Sequence, residues 1–241
     1  MRETMAGPVR TARDEERAGV DPLYDSPAYR STGLRAPREP LIILPEHLDD
    51  PTGPAFGESD VTELDADLTR QFGGDPLGER IIVTGRVTDT TGRPVRNTLI
   101  EIWQANAAGR YAHQVDQHPA PLDPNFAGAG RCLTNADGHY RFVTVKPGAY
   151  PWGNHENAWR PAHIHLSVFG RAFSERLVTQ MYFPGDPLFA FDPIFQSVRD
   201  PRDQQLLISS FDLATTVPEW ALGYRFDIVL GGPRATPLDP E

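Results

Sequence analysis

Ile81-Ile-Val-Thr-Gly-Arg-Val-Thr-Asp89 is followed by Thr90-Thr-Gly-Arg-Pro94 and then by Asn97-Thr-Leu-Ile-Glu-Ile-Trp-Gln104. The first and third runs are rich in β-branched and aromatic residues, and the second has turn chemistry. In the third run Leu99, Glu101 and Trp103 fall on one face and Thr98, Ile100 and Ile102 on the other, the period of a strand. The same rhythm recurs downstream. Asn135-Ala-Asp-Gly138 is a turn signal, His139–Val145 a strand and Lys146-Pro-Gly148 another turn. Ala162–Phe169, Leu177–Phe183 and Tyr224–Leu230 read as further strands. Short strands at regular spacing with turns between them predict a mainly β chain folded as a β-sandwich.

One helix is predicted. Asp200 reads as its N-cap, Pro201 as its first residue and Asp203 as an acid in its first turn, ahead of Leu206, Leu207, Ile208 and Phe211. Between the second strand and the Asn135 turn, Ala105 to Arg131 reads as one long loop, and loops of that length inside a compact domain usually carry function. Upstream, residues 1–60 are rich in Pro, Arg, Asp and Glu with little periodicity. Leu41-Ile-Ile-Leu44 asks for burial, and Tyr29 with Arg35 and Arg38 has the make-up of a pocket edge. The reading is therefore an irregular arm over 1–78, with a pocket edge, and a β-sandwich domain over 79–241.

Composition narrows the class. With 24 prolines and 21 glycines in 241 residues, the chain suits β structure with many turns better than a helical bundle. A net charge of −10 argues against a nucleic-acid partner. Cys132 is the single cysteine, so no intrachain disulfide forms, which fits a reducing compartment. No apolar run approaches the roughly 18 residues of a membrane span, and the N-terminus lacks the apolar segment of a signal peptide. The expectation is a cytoplasmic protein.

The chemistry centres on Arg160-Pro-Ala-His-Ile-His-Leu166. His163 and His165, at i and i+2 of a strand, share one face and can hold a metal through neutral ring nitrogens. The bland reading is two exposed polar residues on a wet face. Tyr111 and Tyr150 read equally as packed aromatics, and Arg160 as an arginine stacked on Trp159. His113, His118, His139 and His155 read as ordinary loop and surface residues. If Tyr111, Tyr150, His163 and His165 converge, two phenolates and two imidazoles favour a hard, highly charged ion, ferric iron over Zn(II) or Fe(II).

Five strings settle which reading to expect: Glu101-Ile-Trp-Gln-Ala-Asn-Ala-Ala-Gly-Arg-Tyr111, Leu122-Asp-Pro-Asn-Phe126, Gly130-Arg-Cys-Leu-Thr-Asn-Ala-Asp-Gly138, Lys146-Pro-Gly-Ala-Tyr-Pro-Trp152 and Trp159-Arg-Pro-Ala-His-Ile-His165. Together they closely resemble the intradiol ring-cleaving dioxygenases, from about Gly78 to Gly232 and more weakly through the arm. The likeness leans to the iron-bearing β subunits that act on protocatechuate. It implies a mixed-topology β-sandwich with one or two short helices, and one non-haem Fe(III) held by Tyr111, Tyr150, His163 and His165. It also implies a homologous α subunit forming α–β protomers in a larger oligomer. The implied reaction is intradiol cleavage of 3,4-dihydroxybenzoate by O2 to 3-carboxy-cis,cis-muconate, a step of aromatic catabolism in the β-ketoadipate pathway. Tyr150 would be the axial ligand and base, and Arg160 the catalytic charge. Tyr29, Trp152, Gln180 and Ile194 would contact substrate or its surroundings. Members can carry an arginine after that tryptophan, where this chain has Gly153. Alternatives are a catechol or hydroxyquinol 1,2-dioxygenase, a zinc hydrolase using the two histidines, or a non-catalytic transthyretin-like module; the four-residue donor set speaks against the last.

Overall fold

The computed structural model describes residues 22–23, 25–28, 30–36, 61–154, 159–170 and 176–239. Two sheets face each other. In the first, β1 (Arg80–Asp89) lies centrally, with β4 (His139–Val145) antiparallel along one edge. Along its other edge β10 (Leu222–Arg225) and β11 (Ile228–Leu230) run parallel to it, and β9 (Ser210–Phe211) flanks β10. The second sheet is antiparallel in the order β3-β2-β7-β8, with β2 at Leu99–Trp103, β3 at Ala129–Leu133, β7 at His163–Phe169 and β8 at Arg176–Tyr182. β5 (Tyr150–Pro151) and β6 (Trp159–Arg160) form a separate two-residue ladder. The mixed parallel and antiparallel pairing matches the expected sandwich.

The alternation read in the sequence decides which residues fill the space between the sheets. Ile81, Val83 and Val87 of β1, with Phe142 and Ile228, pack against Ile100, Ile102, Ile164, Leu166 and Val168 of the second sheet. Full burial of each such side chain contributes about 1.5–3 kcal/mol.

Several expectations need correction. The long loop stops before Ala129, because Ala129–Leu133 pairs with β2 from Leu99↔Leu133 to Trp103↔Ala129; glycine and arginine in that strand hid its period. Leu68 is fully buried in the core and its N–H donates to Val143 O at 2.9 Å. Residues around it, assigned to the arm, thus lie on the sandwich itself. The strand expected over Tyr224–Leu230 is two strands in one unbroken register on β1, from Ile81↔Leu222 to Asp89↔Leu230. The break falls opposite Gly85. A Cβ there would stand 1.8 Å from Phe226 O, and that carbonyl instead accepts the Tyr140 hydroxyl at 2.5 Å.

The expected helix is real but short. Within the described residues, α1 spans Thr32–Arg35, α2 Pro193–Ser197 and α3 Pro201–Gln205, with a 3-10 turn at Pro187–Ala190. Ile208 bridges to Tyr182 and Phe211 joins β9, so neither extends α3. The 3-10 turn, α2 and α3 start alike, with an Asp before a Pro. Asp186, Asp192 and Asp200 each accept an N–H two residues on, from Leu188, Ile194 and Arg202. Among the described residues no helix is long and apolar enough to cross a membrane.

Candidate metal centre

The strand β7 reads His-Ile-His-Leu-Ser-Val-Phe, an alternation that would normally leave its polar face wet. Here both faces are buried. Ile164, Leu166 and Val168 enter the core, while His163 and His165 point to the outer side of the second sheet, under the loop after β2, the β5–β6 ladder and the segment after β11. Cross-strand register supplies their neighbours. Tyr182 pairs with His163, and Gln180 and Trp103 flank His165 from either side. The Trp103 ring stacks on the His165 ring at 4.9 Å and 5°.

Two tyrosines close the site. The Tyr111 hydroxyl lies 3.2 Å from His165 Nε2, and the Tyr150 hydroxyl 3.4 Å from His163 Nε2. The two phenol rings stand edge to face, 5.4 Å apart. Local structure sets this up. Gly109, at φ +76°, lets the loop pass Ala149 O at a point where a Cβ would sit 2.2 Å from that oxygen. Asp116 accepts the N–H groups of Tyr111 and His118, each at 2.8 Å, and so shapes the turn that carries Tyr111.

The other nitrogen of each imidazole faces an acceptor. His163 Nδ1 is 2.7 Å from Pro161 O, and His165 Nδ1 is 3.3 Å from Asp239 Oδ2. Protons on both Nδ1 atoms satisfy those acceptors and leave both Nε2 lone pairs toward the phenol oxygens. Burial, reinforced by the nearby Arg160 charge and by His165, pushes the His163 pKa well below the usual imidazole value, so the ring is neutral. Burial alone would raise the Asp239 pKa. The hydrogen bonds from His165 and the Gln180 amide and the charge of Arg160 outweigh it and hold the Asp239 pKa below the usual carboxylate value.

Beneath the histidines lies a polar network. Arg160 is wholly buried and donates to Asp192 at 3.1 and 3.2 Å, to Gln180 Oε1 at 2.6 Å and to Tyr182 Oη at 3.0 Å. Gln180 Nε2 donates to Asp239 Oδ2 at 2.7 Å. The Arg160 guanidinium lies 5.5 Å from the centre of the Trp152 ring. Its aromatic neighbour is thus Trp152, whereas Trp159 is half exposed and meets His118 edge-on.

A cleft of about 800 Å³ opens over three of the four donors, Tyr111, Tyr150 and His165, with Trp103, Trp152, Val178 and His118 in its walls. Its size and mostly apolar lining suit a flat aromatic ring. Of the expected contacts, Trp152 lines this cleft. Gln180 is buried in the network, and Ile194 lines a narrow void with Tyr182, Val198 and Leu207 instead of the cleft. Tyr29 and Arg38 lie outside the described residues, as do Leu41–Leu44 and His155, and of Arg35 only the backbone is described. His113 and His118, read as ordinary surface residues, stand at the cleft wall. Sequence reasoning missed Asp192, Tyr182 and Asp239. The Asp-Pro cap signature could have found Asp192; Asp239 also precedes a proline, but nothing in that dipeptide points to His165.

Among the described residues no group of three or more His, Cys, Asp or Glu side chains stands together as a metal cage. The donor set is two imidazoles completed by two phenol oxygens. Neutral imidazoles with hard, ionisable oxygens fit a hard trivalent ion such as ferric iron.

Comparisons with known proteins identify the family. Residues 51–232 match the family model described as Dioxygenase, and residues 15–47 that of the protocatechuate 3,4-dioxygenase β subunit N terminus. The protocatechuate 3,4-dioxygenase β chain of Burkholderia cepacia is 63% identical over 90% of this chain and 93% of its own length. The corresponding α chain of Pseudomonas putida is 30% identical over 80% of this chain and 95% of its own. The solved 3-chlorocatechol 1,2-dioxygenase of Rhodococcus opacus 1CP shares the fold, with a TM-score of 0.54 at 24% identity over 75% of this chain and 70% of its own. Sequence match and sandwich together establish that the chain belongs to the intradiol ring-cleaving dioxygenases, an enzyme family in which it groups with the protocatechuate 3,4-dioxygenase β chains.

Proposed function

We propose that this chain is the iron-bearing β subunit of a protocatechuate 3,4-dioxygenase, converting 3,4-dihydroxybenzoate and O2 to 3-carboxy-cis,cis-muconate. The observation that carries the site assignment is that two imidazole Nε2 atoms and two phenol oxygens face each other at 3.2 and 3.4 Å. Tyr111, Tyr150, His163 and His165 would hold one non-haem Fe(III). When bound, ferric iron would supply Lewis acidity toward a catecholate and an electronic route from the ring to O2.

The chain's own residues do the rest. The Nδ1 contacts of His163 with Pro161 O and of His165 with Asp239 Oδ2 hold both rings with Nε2 toward the phenol oxygens. Tyr150, as its phenolate, accepts one phenolic proton as the catechol enters, so that the substrate gains an anionic oxygen there. Trp152, with Trp103 and Val178 across the cleft, bounds a flat slot for the ring. Arg160, fixed by Asp192 below Trp152, keeps a positive charge near the place where the ring gains electron density toward O2. Gln180 holds that guanidinium from beneath. The arm carrying Tyr29, Arg35 and Arg38 contributes to the carboxylate end of the pocket and to contacts with a homologous α subunit in a larger oligomer. The 63% identity to a β chain and 30% identity to an α chain support that pairing. The setting is cytoplasmic aromatic catabolism, in the β-ketoadipate pathway.

The test is the visible spectrum of the chain co-expressed with its α partner, before and after anaerobic protocatechuate. A tyrosinate–Fe(III) band that shifts with substrate, and faster turnover of protocatechuate than of catechol, are expected. A colourless protein containing zinc overturns the proposal, since Zn(II) gives no such band.

A further inference from the structure

Asp239 stands where a stretch of chain after the last strand returns to the site. Ala235 and Thr236 are buried, and the stretch is stitched down at each step. Thr236 N–H donates to Val229 O, Thr179 Oγ1 donates to Pro237 O at 2.8 Å, and Asp239 N–H donates to Val178 O at 2.7 Å. It thereby covers β8, the edge strand of the second sheet, and fixes the backbone of Asp239 independently of its side chain. The carboxylate is then aimed inward. A single oxygen, Oδ2, receives both His165 Nδ1 and Gln180 Nε2.

We propose that Asp239 is a positioning residue for the metal centre, its carboxylate locking the His165 ring so that Nε2 faces the metal and setting which end of the Gln180 amide meets Arg160. The proposal rests on the ferric reading above. Two constraints follow from the geometry. An acceptor at Nδ1 fixes the proton there and, being anionic, makes the imidazole a stronger donor at Nε2. Because Gln180 gives its NH2 to Asp239, its oxygen is left for Arg160 and Tyr182, at 2.6 and 2.8 Å. One carboxylate thus joins a metal-facing ring to the buried cation.

The experiment uses the assembled, iron-loaded enzyme with Asp239→Leu and Asp239→Asn, and reads iron release to a chelator and the position of the tyrosinate–Fe(III) band. Asp239→Leu is expected to release iron about 10–100-fold faster and to move the band to longer wavelength, because weaker histidine donation leaves the iron more electron-poor. Asp239→Asn, which keeps an acceptor oxygen but no charge, should fall between. Wild-type release and an unmoved band in both variants overturn the proposal. If the leucine variant fails to fold, the asparagine variant decides alone, by the same two readings. A wild-type protein that takes up no iron and shows no band sinks the ferric reading itself, and this proposal with it; a coloured wild type beside unchanged variants sinks only the role of Asp239.

Discussion

Tyr150 and Arg160 have opposite surroundings, and their variants should differ accordingly. The Tyr150 hydroxyl stands at the cleft, 3.4 Å from His163 Nε2. Tyr150→Phe is expected to retain most of its iron, since three donors remain. Substrate binding should slow by about 100-fold or more, the usual scale for loss of a positioned base. Stopped-flow mixing with anaerobic protocatechuate measures this, and a wild-type rate would remove the base role. Arg160 has no exposed surface and pairs with an equally buried Asp192. Arg160→Ala leaves that carboxylate uncompensated, which costs roughly 3–5 kcal/mol of stability. A urea titration of the iron-free variant reads that cost. The oxygen step should also slow, while anaerobic substrate binding changes less. An oxygen step at the wild-type rate would leave Arg160 a purely structural ion pair. The donor residues were visible in the sequence, while their supports Asp192 and Asp239 were not. Those two lie 32 and 74 residues from the groups they serve, and no local period links them.

At the scale of elements, the outcome turns on a few close approaches. Gly85 lets the β10–β11 register continue across β1 while Phe226 O turns to Tyr140. Gly85→Ala must push that carbonyl away, breaking a buried hydrogen bond and overpacking the strand pair. The expected loss is about 3 kcal/mol, summing typical overpacking and hydrogen-bond costs. Thermal unfolding of the iron-free protein checks it, and an unchanged midpoint would mean that the strands yield without strain. The turn at Thr90–Pro94, the strands on either side and the α3 cap were legible because each is a local rule. β3 was missed because its run Ala-Gly-Arg-Cys-Leu has a weak strand signal and is held by pairing with β2. The end of α3 was misjudged because Ile208 is claimed by Tyr182 across the structure, a tertiary pairing that overrides helical period.

Across the whole molecule the sandwich and the site occupy opposite faces of one sheet. The apolar face of β2, β7 and β8 is sealed in the core, and the polar face holds His163 and His165, with Tyr111 and Tyr150 brought over it by the covering segments. Under the proposed ferric assignment, the metal would staple the covering segments to the sheet without being needed for the core. Removing iron should therefore raise amide hydrogen exchange in residues 106–128 and around Tyr150. Exchange in β1, β4 and β10 should stay near its iron-loaded level. Mass spectrometry of exchanged peptides measures both regions. Equal loss of protection in the first sheet would mean that the metal holds the whole fold.

The sequence by itself determined the strand periods, the turns between them, the cap of α3 and the identity of the four candidate donors. The strand periods, turns, cap and His163–His165 pair rest on residue type at short spacing: β-branched alternation, Asp before Pro, His-x-His on one face of a strand; Tyr111 and Tyr150 were singled out only by the family resemblance. Only the tertiary structure decided that the polar face of β7 is buried, that Tyr111 and Tyr150 meet it, and that Arg160 stacks on Trp152 and pairs with Asp192. It likewise decided that Asp239 reaches His165. The reason is physical. Burial and convergence depend on which faces of distant segments pack together, and a period along one strand fixes a face without saying what will cover it.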